Sequence, residues 1–194
     1  MGWQWDGWAA AALVGCALTV GCSEPAGELD ADVVHDIART PGDAIGLDRS
    51  GEYDAELTAV QCDCPDLGTL EGISLCQGSG PISPMPGDKI FVTIDVVQTD
   101  GIILIRYDGQ ALTGGLDADG SFAAGGLFDM DTLVTTGEII TRMDGEFDDE
   151  ASTNAFDATI KNRLHGDAAA GLGEGSDRTS LDCVETFSLD ATGR

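Results

Sequence analysis

The sequence predicts an all-β fold, an antiparallel meander of about eight strands forming an up-and-down barrel or a sandwich. Three observations carry that expectation. Apolar and polar residues alternate with a period of two in several segments between Gly51 and Leu189. Asp100-Gly101 and Asp108-Gly109 fall between such segments, where two-residue hairpin turns belong. From Gly51 onward no stretch keeps the 3.6-residue spacing of an amphipathic helix.

The N-terminus stands apart from that pattern. Trp8 to Gly21 is a run of small and aliphatic residues with the length of a signal-peptide core. It is shorter than the roughly 20 apolar residues of a spanning helix. Leu18-Thr19-Val20-Gly21-Cys22 closes the run, and polar Ser23-Glu24-Pro25 follows at once. This arrangement resembles a bacterial lipobox. The resemblance implies a signal peptide over residues 1–21, cleavage before Cys22, and lipidation of Cys22. Leu13-Val14-Gly15-Cys16 is a competing match with its leucine three before the cysteine, but Cys22 has the longer apolar run and the polar break. One feature departs from the signal-peptide pattern: Met1 to Trp8 carries Asp6 and neither Lys nor Arg. Serine directly after the lipidated cysteine resembles the outer-membrane sorting class. The expected location is therefore the cell envelope, at the outer membrane.

Charge narrows the partners. The chain has a formal net charge of −26, and residues 1–21 contribute only Asp6 to it. Such a balance repels phosphate backbones, so no nucleic-acid partner is expected. It also removes any polybasic grip on anionic lipid. Membrane attachment then falls to the acyl chains, of which two or more are needed for a stable anchor.

Residues 22–50, rich in Ala, Gly, Asp and Pro, read as a flexible tether in which Leu29–Ala38 can form one or two helical turns. The β domain spans 51–194. Its first strand alternates Tyr53, Ala55, Leu57 and Ala59 with Asp54, Glu56 and Thr58. A long irregular segment, 61–88, holds three cysteines with Pro65, Pro81, Pro84 and Pro86. A loop of that length in a compact domain is expected to be stapled.

The register follows from the turns. A two-residue turn at Asp100-Gly101 sets Thr99 opposite Ile102, Val96 opposite Ile105 and Asp95 opposite Arg106. Across Asp108-Gly109, Tyr107 faces Gln110 and Ile105 faces Leu112. Asp117–Gly120 suits a three-residue loop with Gly120 left-handed, which places Phe122 opposite Leu116. Gly114-Gly115 and Gly125-Gly126 then meet in neighbouring strands, where a sheet can bend sharply. Three more strands are predicted at Glu138–Phe147, Ala155–His165 and Leu181–Leu189. In the second of these, Phe156, Ala158, Ile160, Asn162 and Leu164 share one face.

Four cysteines follow Cys22: Cys62, Cys64, Cys76 and Cys183. In an exported chain they read as two disulfides, with three possible pairings. A metal site on Cys62-x-Cys64 lacks the usual spacing and a nearby histidine, so no metal and no cofactor are expected. In a closed meander the first strand's end lies beside the last strand's start. One disulfide is therefore expected from Cys62 or Cys64 to Cys183, and the other through Cys76.

Gly51-Glu52-Tyr53 opening the first strand and Arg194 at the end resemble lipocalins and other calycins, whose tripeptide is Gly-x-Trp, with Tyr53 here in the place of the tryptophan. The resemblance implies a barrel that binds a small apolar ligand, with Arg194 in the place of the arginine that packs on the tryptophan. The predicted inward face, including Ile94, Ile105, Leu112 and Phe122, favours a packed interior over a cavity.

No catalytic motif is present: there is no nucleophile elbow, phosphate loop or zinc-binding His-Glu-x-x-His, and the only histidines are His35 and His165. No enzyme is expected. Asp117-Ala118-Asp119-Gly120 reads as a turn rather than a calcium loop, because Phe128 stands where an EF-hand has glutamate. The acids at 144–150 offer at most a weak calcium site. Arg142, Lys161 and Arg163 are expected to pair across strands, the alternative being a docking patch for an anionic envelope component. The functional expectation is a lipid-anchored, non-catalytic structural or protein-interaction module with an envelope protein as partner. The alternative is a calycin-like binder of a small apolar ligand.

Overall fold

A computed structural model describes residues 26–46, 48–64, 85–131, 135–148, 154–169 and 178–194. The N-terminal segment with Cys16 and Cys22, the segment with Cys76, and residues 149 and 150 lie outside the described residues. The described residues form eight strands: β1 (Gly51–Cys62), β2 (Lys89–Thr99), β3 (Ile102–Tyr107), β4 (Gln110–Leu116), β5 (Ser121–Asp131), β6 (Thr135–Phe147), β7 (Ala155–Ala169) and β8 (Arg178–Gly193). Each pairs antiparallel with the next, and β8 pairs with β1 to close a barrel rather than a sandwich.

The hairpins adopt the predicted register. Asp95 pairs with Arg106, Val96 with Ile105 and Thr99 with Ile102. Ile105 pairs with Leu112, Tyr107 with Gln110, and Leu116 with Phe122. Asp100 and Asp108 take the left-handed backbone that tight hairpin turns demand, and Gly120 sits at φ 91° in the next turn. The glycine pairs meet diagonally: Gly114 faces Ala124 and Gly115 faces Ala123. The last three strands are longer than the alternation indicated. The β7–β8 ladder runs on to Ala169 and Arg178 through Gly166 and Asp167, because backbone pairing continues where apolar alternation stops.

Residues 26–46, expected as part of a flexible tether, are laid onto the barrel instead. A turn of 3-10 helix (Ala26–Leu29) leads into α1 (Ala31–Ile37), within the segment predicted to hold helical turns. Leu29, Val34 and Ala44 are buried. The docking surface is made by glycines that face outward. A Cβ on Gly125 would stand 2.6 Å from the Val34 side chain, and one on Gly115 would stand 2.7 Å from the Gly42 nitrogen. The Gly42 amide donates to the Gly101 carbonyl, and the Ala44 amide to the Leu116 carbonyl. Glycine is needed here for close backbone approach.

This strap also accounts for the basic grouping. Arg163 pairs with Asp182 on β8 (2.8 Å) and with Asp30 of the strap (2.9 Å), while Lys161 reaches Glu28 at 3.4 Å. Arg142 is held by Asp144 on its own strand at 2.7 Å. These three cations are thus engaged by the chain's own acids, but only the Arg163–Asp182 pair crosses between strands as expected.

Candidate ligand-binding site

The barrel interior differs at its two ends. One end is filled by rings: Tyr53, Phe122, Phe147 and Phe156 meet with centroids 4.9 to 6.2 Å apart. Such pairs add about 0.5–1.5 kcal/mol each beyond their buried area. The strap continues across this end, where the Tyr53 hydroxyl donates to the Arg49 carbonyl at 2.8 Å and the Arg49 guanidinium lies 5.4 Å from the Phe147 ring centroid. Burial pushes the Tyr53 hydroxyl up to about 12, despite a hydrogen bond from Asn154 that lowers it.

The other end holds a cavity of about 240 Å³. Its walls are apolar, with Leu57, Val92, Ile160 and Phe187 among the lining side chains. Alternation along each strand puts these residues inside. The same alternation brings in polar side chains from β4, β7 and β8. Glu185 follows Leu181 and Cys183 and precedes Phe187, Leu189 and Ala191 on the inward face of β8, and it is only 7% exposed. Burial alone pushes its carboxyl up to about 7. Asn162 sits opposite it on β7 and accepts a hydrogen bond from the buried Thr141 hydroxyl at 2.9 Å. Gln110 also lines the cavity, and its side-chain oxygen is buried with no hydrogen-bond partner among the described residues. Tyr107 beside it is pushed far above the usual phenol range, first by burial and then by the Asp108 carboxylate at the rim.

A β-bulge sets the edge of this chamber. Ala59 pairs with Phe187, but Gln61 pairs with Thr186, so Val60 is left over and the side-chain phase reverses. Cys62 is thereby turned toward Glu185, its sulfur 4.0 Å from the carboxylate oxygen. The same reversal points Cys64 at Cys183, and these two form a disulfide across the β1–β8 seam. Cys62 is itself disulfide-bonded, and its partner lies outside the described residues. The Cys62, Cys64 and Glu185 donor atoms lie within 4.8 Å of one another. With both sulfurs oxidised neither is the thiolate that ligates metal.

The remaining sequence candidates are placed as follows. Asp117 and Asp119 are engaged in their turn, Asp119 accepting from the Ser121 amide and hydroxyl and Asp117 from the Asp43 amide. Of the acids at 144–150, Asp144 is taken by Arg142. His165 is exposed on β7 and lies 3.9 Å from Asp182. Tyr53 is buried in the barrel core, while Arg194 lies on the outer surface bound to Asp54 at 2.8 Å. Sequence reasoning misses Glu185. Its signal is there, as the one acid in phase with the apolar face of the last strand.

No protein-family model matches this chain, and no curated protein or solved structure matches it either.

Proposed function

We propose that this chain is an exported, lipid-anchored and non-catalytic barrel that binds a small, largely apolar molecule in the chamber opposite its ring-filled end. The buried polar groups of the apolar chamber support this reading over the structural-module reading. A protein that only displays a surface has no use for Glu185 and Gln110 inside its core, where each costs stability until it finds a full partner. The volume lies just below the usual 300–1,000 Å³ range for small-molecule pockets, so the ligand is short. Among the described residues, rings and strap close the far end, so a ligand would enter from the end that holds the chamber.

Calorimetric titration with 1-octanol tests the reading. Saturable one-to-one binding is expected, and Val92→Trp, which fills the chamber, should abolish it. Absence of saturable binding by both octanol and octylamine would leave the chamber without a function. Attachment is tested separately, by labelling cells with a radioactive fatty acid: Cys22→Ser should abolish incorporation and Cys16→Ser should not. The reverse result would move the anchor to Cys16.

A further inference from the structure

We propose that the chamber selects a cationic amine, a ligand with a short apolar body and an ammonium end seated on Glu185. The inference rests on the ligand-binding reading and adds the chemistry of the polar end. It comes from what the chamber offers and what it lacks. The lining groups that carry charge are Glu185 and, exposed at the rim, Asp108. No Lys, Arg or His lines the cavity among the described residues. Gln110 contributes a buried side-chain oxygen that needs a donor. The chamber therefore presents hydrogen-bond acceptors and negative charge, arranged against apolar walls. An ammonium group supplies three donors and a positive charge, and its alkyl body covers the walls.

A carboxylate guest meets the opposite situation. Its charge would face Glu185 and Asp108 with no cation among the lining residues to balance them, so like-charge repulsion adds to its desolvation. A neutral alcohol fills the walls but leaves Glu185 without a counter-ion. The net charge of −26 reinforces the choice, because an acidic protein raises the local concentration of cations and repels anions.

The groups that face Glu185 give the pH response. Cys62 on β1 is disulfide-bonded and carries no proton, and Asn162 on β7 does not titrate. Tyr107 on β3 is held neutral by burial, and Asp108 lies exposed at the rim. Glu185 is thus the group that changes charge near neutrality, with its carboxyl raised to about 7. An alkylammonium stays protonated throughout this range, its pKa being near that of lysine. Its affinity should rise about tenfold between pH 6 and pH 8, as Glu185 passes from mostly neutral to mostly ionised.

The experiment uses three probes of one chain length, octylamine, 1-octanol and octanoate, titrated into the full chain by calorimetry. Salt at about 0.3 M suppresses binding to the acidic exterior. Val92→Trp serves as the blocked control. The expected order is octylamine at least tenfold tighter than octanol, with octanoate weakest. Glu185→Gln should remove both the preference for octylamine over octanol and its pH dependence. If octanol binds saturably while octylamine binds no tighter, the amine inference is overturned and the ligand-binding reading stands. If none of the three binds, both fall together. Should Glu185→Gln retain the full preference, the ammonium sits elsewhere and the assignment to Glu185 is wrong.

Discussion

Glu185→Gln is expected to stabilise the unliganded protein by about 3 kcal/mol at pH 8 and to make little difference at pH 4. The sign follows from linkage between folding and protonation. The carboxyl is raised from 4.5 to about 7 in the folded barrel, because burial penalises the charged form. Below the unfolded value both states hold the proton and the residue costs little. As pH rises from 4.5 through 7, the unfolded chain releases its proton while the folded chain must keep it or ionise inside the barrel. Stability supplied by the neutral form is lost over that interval. A tenfold difference in acidity between the folded and unfolded states is worth about 1.4 kcal/mol, and the rise from 4.5 to about 7 therefore amounts to about 3 kcal/mol above pH 7. Gln has the shape of Glu and cannot ionise, so the variant should show no such decline from this site. Urea unfolding of parent and variant at pH 4, 6 and 8 measures it directly. A difference that does not change with pH would mean that Glu185 is solvated. The same energetics links stability to binding, because an ammonium guest supplies the missing counter-charge and should recover much of the loss.

Much of the fold was legible because the chain carries its own register marks. Asp100-Gly101 and Asp108-Gly109 fix two hairpins, and each fixed pair then orients every side chain on both strands. Barrel closure was not decided by alternation, which a sandwich satisfies equally well. Pairing of β1 with β8 is a long-range event with no local signature, although the cysteines near Cys62 and Cys183 hinted at it. The strap escapes sequence reading for a different reason. Leu29, Val34 and Ala44 are too few buried apolar side chains to form a periodic pattern, and their receptors are glycines, which carry no side chain to read. Gly125 and Gly115 read as bending points and prove to be landing sites for the strap. The ligand chamber required both corrections. Closure turns inward-facing positions into walls, and the bulge at Val60 brings Cys62 and Cys64 into phase with Glu185 and Cys183. From sequence the bulge shows only as a change of parity, from odd-numbered apolar residues up to Ala59 to even-numbered cysteines after it.

Removing the seam disulfide through the double substitution Cys64→Ser, Cys183→Ser is expected to cost about 4–5 kcal/mol. The two residues are separated by 119 positions, a span that includes most of the barrel. In the chain-entropy model a loop of that size removes close to about 5 kcal/mol of freedom from the unfolded chain. For a chain of this length each kcal/mol corresponds to about 2–4 °C, so melting should fall by roughly 10–20 °C. The location makes the loss more than entropic. The bond closes β8 onto the end of β1, where Cys62 pairs with Glu185 and the bulge has already broken the regular ladder. Cys183 packs with Leu164 and Leu181 in a small apolar cluster at the mouth of the chamber, and Ser in its place exposes a hydroxyl to that cluster. The substitution should therefore weaken 1-octanol binding by more than a change in global stability alone produces, since the β1–β8 edge forms one wall. Thermal unfolding gives the first number, and titration well below the variant's melting temperature gives the second. A fall of less than about 5 °C would show that backbone pairing alone carries the seam. Unchanged octanol affinity in a well-folded variant would show that the chamber holds its shape without the bond.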